Sequence, residues 1–140
     1  MPTAAETVDR CALFTSLSPK ARARLATDLR ERRYAAGEAM TSEDQGGVGF
    51  FLIGEGIAEV HVGGGAAAGT LGSGDTFGEM ALITGERRSA AITAQTDVQC
   101  WVLSQWHFKP LVLENPELAW SLLEILALRV RETQGRSTNS

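Results

Sequence analysis

The chain has 140 residues, of which 44% are hydrophobic, and a formal net charge of −4. This length fits one domain that can bury a core without disulfides or metal ions. The acidic balance offers no broad basic surface for nucleic acid. No apolar run approaches the roughly 20 residues of a membrane span, and the first residues lack the basic and apolar regions of a signal peptide.

The cysteine content indicates a reducing compartment. The two cysteines, Cys11 and Cys100, lie far apart in the sequence and fit neither a disulfide framework nor a CxxC motif. We therefore expect reduced thiols and a cytoplasmic location.

The first half predicts one helix followed by short strands. Ser18-Pro19 is typical of a helix start, with a capping hydroxyl before a proline. Apolar residues at helical spacing extend this helix to near Arg33. Phe50 to Ile53 is a short buried-strand pattern, and Ile57 to Val62 alternates like a strand with one buried face.

The middle of the chain predicts further strands between glycine turns. Gly63 to Gly65 and the alanines after them predict a flexible loop, and Leu71 marks the next strand. Ala91 to Ala94 and Val98 to Leu103 predict two more strands.

Two helices are predicted at the end of the chain. Ser104 precedes the first, and Asn115-Pro116 starts the second, which is expected to run to about Thr133. The order of elements predicts an α+β fold, a small β-barrel or jelly roll with an N-terminal helix and two C-terminal helices. The expected domain covers residues 10–133, with tails at 1–9 and 134–140.

The stretch FGEMALITGERRSA, residues 77–90, combines several features of a binding site. Gly78 turns the chain, and the residues after it can form one helical turn whose unpaired N–H groups attract an anionic oxygen. The planar, charged guanidinium of Arg88 can donate hydrogen bonds to two phosphate oxygens. Ser89 supplies a hydroxyl, and Glu79 supplies an acceptor for sugar hydroxyls. This set predicts a ligand with one phosphate and a nearby sugar hydroxyl, such as a cyclic nucleotide. The alternative is that Glu79 and Arg88 pair with each other across a surface hairpin.

The same stretch resembles the phosphate-binding cassette of the cyclic nucleotide-binding domain family, which includes the catabolite activator protein, protein kinase regulatory subunits and gated channels. The order FGE-x-A-L followed by R-S-A carries this resemblance, and similar helices and strands extend it over about residues 10–133. It implies that Glu79 accepts from the ribose 2′-hydroxyl and that Arg88 pairs with the cyclic phosphate. The resemblance implies that threonine at position 89 favours cyclic GMP, and serine there gives no support for that nucleotide, so we expect cyclic AMP. The cassette residues expected to bind ligand are Phe77, Gly78, Glu79, Met80, Ala81, Arg88 and Ser89.

The last helix has an apolar arc that is wider than one contact face needs. Glu117, Ser121, Glu124 and Arg131 share the polar face. One part of the arc could cover the β core, and the other could meet a second copy of the chain, as in the family's parallel dimers, or close over the base. Arg129 lies on this arc and joins the ligand-binding candidates as a group that stacks on the base. It could instead lie near a dimer axis, or pack its stem and leave its charge in water.

The resemblance implies a sensor that binds cyclic AMP, or cyclic GMP, and passes its state through the last helix to an unknown partner protein. The residues support no catalytic set, and His61 and His107 are too few for a metal site, so we expect neither an enzyme nor a cofactor. We expect no DNA-binding domain after the last helix. The main alternative is a degenerate copy that serves as a dimerisation or scaffold module without nucleotide. A cyclic dinucleotide or another small phosphate ester is a further alternative.

Overall fold

The computed structural model describes residues 1–41, 49–62, 67–85 and 90–138. Five α-helices, eight strands and a short 3₁₀ turn at Ala12–Phe14 lie in these residues. The helices are α1 Ala4–Arg10, α2 Pro19–Asp28, α3 Glu79–Thr84, α4 Gln105–Glu114 and α5 Pro116–Thr138. The strands are β1 Arg30–Tyr34, β2 Ala39–Thr41, β3 Gly49–Glu55, β4 Ala58–Val62, β5 Ala67–Leu71, β6 Thr76–Phe77, β7 Ala90–Ala94 and β8 Val98–Ser104.

The described strands form two four-stranded antiparallel sheets. Their orders are β1-β8-β3-β6 and β2-β7-β4-β5. Residues of both sheets share one buried cluster, which includes Phe51 and Ile53 of β3 and Ile92 of β7. Two packed sheets with helices before and after them are the arrangement of a jelly roll. The predicted α+β jelly-roll fold is confirmed.

Strand β3 is covered on both faces, which explains its almost continuous apolar sequence. Six of its seven residues are buried. Because side chains alternate along a strand, Phe51 and Ile53 face the second sheet, while Phe50 and Leu52 join a cluster formed mainly by helices. The Phe50 ring lies 5.1 Å from the ring of Phe108 in α4. The domain therefore has one core between its sheets and another between a sheet and the helices.

The N-terminal residues form a helix that the sequence analysis missed. A tail was expected at residues 1–9, but α1 begins at Ala4. The Thr3 hydroxyl accepts from the Glu6 N–H, and the Glu6 carboxylate accepts from the Thr3 N–H. This capping box starts the helix, and Val8 then packs into the helix-facing core. The sequence signal was the spacing of Thr3 and Glu6.

Helix α2 begins where it was predicted and ends earlier. The Ser18 hydroxyl accepts from the Ala21 N–H at 3.1 Å, which confirms the cap. The expected end near Arg33 is wrong, because the helix ends at Asp28. Residues Arg30–Tyr34 instead pair with β8 over five positions. A complete hydrogen-bonded ladder outweighs helix propensity, which is favourable for arginine but small for each residue.

Two further boundaries differ from the sequence analysis. Gly63 to Gly65 lie outside the described residues, but Ala67 and Ala68, which were expected in the loop, begin strand β5. Pairing with β4 outweighs the low strand propensity of alanine and glycine there. At the other end, α5 continues to Thr138, beyond the expected end at Thr133, since residues 134–138 contain no proline that would break it.

Candidate ligand-binding site

The predicted cassette begins as a strand, a glycine turn and a short helix. Strand β6 ends at Phe77, whose ring stacks on Phe51 of β3 with ring centres 4.6 Å apart. Gly78 then adopts a left-handed conformation with φ of 100°, and α3 starts at the next residue. A side chain at Gly78 would be strained in this conformation, so the sharp turn depends on glycine. Gly85 ends α3 in the same way, with φ of 73°.

Glu79 is a buried carboxylate at the first position of α3. The residue is 3% exposed. Its Oε1 atom forms an ion pair and hydrogen bond with the Arg129 guanidinium of α5. Its Oε2 atom is buried and has no hydrogen-bond partner among the described residues. Buried polar atoms are nearly always paired, so this oxygen is an acceptor suited to a donor from a ligand.

Arg129 lies fifty residues after Glu79 in the sequence and reaches it from another helix. Its side chain is 45% exposed, so the guanidinium touches both the buried carboxylate and solvent. Arg129 of α5 is therefore a partner of the Glu79 carboxylate, and the alternative of a Glu79–Arg88 pair is not tested, because Arg88 lies outside the described residues. Contact between Arg129 and a ligand stays a prediction.

The other cassette residues separate into buried and exposed positions. Phe77 and Ala81 are buried, and Met80 is 50% exposed. Ala81 therefore lies on the buried side of α3, whereas Met80 lies on its exposed side. Arg88 and Ser89 lie outside the described residues, so their predicted contacts with phosphate stay predictions.

The sequence analysis found the cassette but missed how it is held in place. Neither the stacking of Phe51 on Phe77 nor the pairing of Glu79 with Arg129 was predicted. The one available signal was an arginine placed among the apolar residues of the last helix. Such a residue needs a partner, but sequence spacing does not name it.

A separate cavity of about 300 Å³ lies between α2 and α4, away from the cassette. None of the predicted ligand-binding residues lines it. Its ionisable lining residues are Lys20, Arg24, Asp28, His107 and Glu114. In this cavity the His107 ring lies 3.9 Å from the Asp28 carboxylate.

Both cysteines are buried free thiols. Burial raises the pKa of Cys11 and of Cys100 to about 12. Thiols with so high a pKa are almost fully protonated at neutral pH and are poor nucleophiles.

The described residues contain no group of three or more histidine, cysteine or acidic side chains that could hold a metal ion. No helix in the described part of the chain is long and apolar enough to cross a membrane.

Comparison with known proteins places this geometry in a family. A family model for the cyclic nucleotide-binding domain matches residues 31–115. A cAMP-dependent protein kinase regulatory subunit from Mycosarcoma maydis is 42% identical over 85 residues, covering 59% of this chain and 16% of that protein. A cyclic nucleotide-gated potassium channel from Mesorhizobium japonicum is 33% identical over 128 residues, covering 91% of this chain and 34% of the channel. The chain thus spans only a minor part of the length of these relatives.

A solved structure agrees with the sequence comparisons. The catabolite activator protein of Thermus thermophilus superposes with a TM-score of 0.81 and 28% identity, over 90% of this chain and 61% of that one. The family is a regulatory binding domain without catalytic activity, in agreement with the expectation that this domain is not an enzyme. The chain belongs to the cyclic nucleotide-binding domain family.

Proposed function

We propose that this domain binds cyclic AMP in preference to cyclic GMP and passes its ligand state through α5 to a partner protein. Family membership supports the binding of a cyclic nucleotide. The observation that carries the finer proposal is the position of Glu79, which is buried in the cassette, bound to α5 through one oxygen and free to accept through the other.

The Oε2 atom of Glu79 is the proposed acceptor for the ribose 2′-hydroxyl. Since this oxygen is buried without a partner among the described residues, a donor from the ligand would satisfy it. A hydrogen bond to a charged group contributes about 1.5–3 kcal/mol. The Oε1 atom can keep Arg129 at the same time, so binding the ribose does not require breaking the ion pair.

Arg88 and Ser89 complete the proposed site. The resemblance assigns the cyclic phosphate to the Arg88 guanidinium, and Ser89 is proposed to contact phosphate or base. Small residues at Gly78 and Ala81 would let the ligand approach the backbone closely. Phe77 anchors the cassette to β3 by stacking on Phe51.

The preference for cyclic AMP is supported by two facts. Position 89 is serine, where the family's threonine favours cyclic GMP. Related regulatory subunits are named for dependence on cAMP, and one similar structure is described as a cAMP-bound regulatory subunit.

The proposed relay depends on the link between the cassette and α5. Arg129 connects the two, so a ligand on Glu79 lies one side chain away from α5. A ligand shifts a conformational equilibrium only as far as it binds one arrangement better than the other. We propose that hydrogen bonding of the ribose to Glu79 favours the arrangement in which Arg129 is docked.

Calorimetric titration tests the binding proposal. Titration of wild type with cyclic AMP should release heat. Cyclic GMP should compete for the same site and bind with lower affinity. Arg88→Ala should weaken binding by ~100-fold or more, because the phosphate would be desolvated without its partner. Glu79→Gln keeps one acceptor and should cost about tenfold. Circular dichroism would establish that each variant is folded.

The absence of heat with either nucleotide, in a folded wild-type protein, would overturn the proposal. A loss of affinity for Glu79→Gln as large as that for Arg88→Ala would contradict the proposed division of roles.

The alternative function is a scaffold module without nucleotide. The observation that supports it is the exposed apolar side chains of α5, of which Trp120 is 64% exposed.

Two further proposals concern the setting of the domain. We propose a cytoplasmic location, supported by two buried thiols that are not joined in a disulfide. We also propose that α5 associates with a second copy of the chain, supported by its exposed apolar side.

A further inference from the structure

Strand β1 lies at an edge of its sheet and is rich in arginine. It pairs with β8 and with no other described strand. Every second residue of an edge strand directs its N–H and C=O groups away from the neighbouring strand, where another strand can pair with them. The first four of its five residues are exposed, and three of these four are arginines. We call the outer side of Arg30–Tyr34 the basic edge.

The charge around the basic edge is opposite in sign to the charge of the whole chain. Six of the chain's 13 basic residues lie between Pro19 and Tyr34, in α2 and β1, together with only two acidic residues. The chain as a whole has a net charge of −4. Such a local excess of positive charge attracts a negatively charged partner to one side of the domain.

Two arginines of the basic edge share one face of the strand. Because side chains alternate along a strand, Arg30 and Arg32 point to the same side. Their register opposite Val102 and Cys100 places both at the rim of the core between the sheets. The Arg30 guanidinium also donates to two backbone carbonyls at the end of α2, which fixes its position. Neither arginine forms an ion pair with another described residue.

The acidic residue of β1 is bound within the domain. The Glu31 carboxylate pairs with Arg33 at 3.5 Å, and it also accepts from the Gln99 side chain at 2.8 Å. Glu31 and Arg33 lie on the opposite face from Arg30 and Arg32. The positive charge of the Arg30 and Arg32 face is therefore not cancelled by Glu31.

We propose that the basic edge binds an extended acidic segment of a partner protein, which joins the sheet as a further strand beside β1. Backbone hydrogen bonds hold the segment, and acidic side chains at every second position lie beside Arg30 and Arg32. The five residues of β1 span about 17 Å, so a segment of similar length covers the edge. This inference goes beyond the proposed function, because it involves neither the nucleotide nor α5.

Two features favour a peptide over a nucleic acid. A strand edge offers donors and acceptors at the spacing of a second strand, and a sugar–phosphate backbone does not match that pattern. The positive charge is also confined to a short region of an acidic chain, so a long polyanion would be repelled where it extends past the basic edge.

Fluorescence anisotropy on the full chain tests the binding. The probe is a labelled peptide of about eight residues that alternates glutamate and threonine, since threonine favours strands. Wild type should bind it, and Arg32→Glu should weaken binding by ~10-fold or more, because an attraction becomes a repulsion. Arg131→Glu is the matched control, because it makes the same charge change at an exposed position of α5. It should change the affinity by less than about twofold.

Circular dichroism of each variant establishes that it is folded, and Arg32→Gln provides a milder change that should weaken binding several-fold. Absence of binding at up to ~1 mM peptide would show that the arginines only protect the edge from pairing, and it would overturn the inference. Equal effects of Arg32→Glu and Arg131→Glu would do the same.

Two competitor molecules separate strand addition from general attraction between charges. N-methylation of the peptide's backbone amides keeps its charges but removes its donors, so this peptide should bind ~10-fold or more weakly. A single-stranded oligothymidylate with the same number of charges should also bind more weakly than the unmodified peptide. If either competitor binds as tightly as that peptide, strand addition at the basic edge is wrong.

Hydrogen exchange measured by NMR locates the bound strand. Saturating peptide should slow amide exchange at alternate residues of β1, where the outer N–H groups become paired. Strand β5, which lies at an edge of the other sheet and carries no charged residue, is the internal control and should not change. Protection of β5 instead of β1 would contradict the inference.

Titration of Arg32→Glu with cyclic AMP should match that of wild type, because Arg32 lies outside the cassette. Failure of this proposal is therefore distinguishable from failure of the proposed nucleotide binding.

Discussion

The two β-sheets and the helices α3 to α5 use their apolar side chains in different ways. Among the described residues, ten large apolar side chains are exposed, and eight of these lie on the three helices. They are Met80, Ile83, Trp106, Leu113, Trp120, Leu123, Leu128 and Val130. The central strand β3, in contrast, buries six of its seven residues.

The sheets therefore act as a packed scaffold, whereas the helices present an exposed apolar surface. The sheets place their apolar residues in close-packed cores, which fix the position of the cassette through Phe51 and Phe77. The helices keep one side for the core and leave another side exposed, and exposed apolar patches mark sites for ligands or partners. Functional change is therefore expected in the helices, and loss of stability in the sheets.

The largest effect is expected from a cavity in the sheets. Ile53 is completely buried in the core between the sheets, so Ile53→Ala should reduce the free energy of unfolding by about 2–5 kcal/mol. Leu128→Ala removes a similar volume from an exposed position of α5 and should change stability by less than about 0.5 kcal/mol. Urea denaturation of both variants measures the difference. Equal losses would show that the two regions do not differ as described.

A smaller effect is expected where the two regions meet. Arg129→Ala leaves the Glu79 carboxylate buried without its partner and should cost about 1–3 kcal/mol of unfolding free energy, a range reduced because Arg129 is half exposed. Adding Glu79→Gln should recover part of this loss, since a neutral amide is less costly to bury.

Thermal or urea unfolding of the single and double variants measures this coupling. Arg24→Ala, which removes an exposed arginine of α2, serves as the control and should change stability little. If the single losses simply add in the double variant, the Glu79–Arg129 pair does not connect the cassette to α5 energetically.

The smallest effect is a dependence of stability on alkaline pH. Burial raises the pKa of the Cys11 and Cys100 thiols from 9.0 to about 12. Because the folded pKa is raised, the thiols' contribution to stability is complete below pH 9 and is lost as pH rises towards 12. At pH 10 each thiol should lower the unfolding free energy by about 1–2 kcal/mol.

This titration also compares the two cores. Cys11 belongs to the helix-facing core and Cys100 to the core between the sheets. Cys11→Ala and Cys100→Ala should each remove about half of the thiol-dependent decline in a series of urea unfolding curves from pH 7 to about pH 10. A decline unchanged by either substitution would show that the thiols ionise in the folded state as readily as in the unfolded chain.

Local sequence signals predicted the fold class and the cassette, and they failed where long-range pairing decided. Ser18 was a correct start for α2 because a cap depends on residues three positions apart. The end of α2 was misjudged because Arg30–Tyr34 pair with β8, some seventy residues later in the chain. The same limit applies to the candidate site, in which Glu79 could be named but its partner could not.

The sequence by itself determined the fold class, the glycine turn before α3 and the identity of the cassette, because these depend on neighbouring residues and on recognisable spacing. Only the tertiary structure decided that Arg129 pairs with Glu79, that β3 is covered on both faces, and which side of α5 the core covers. The physical reason is that burial and ion pairing are properties of surfaces brought together by folding, and such contacts leave no periodic signal along the chain.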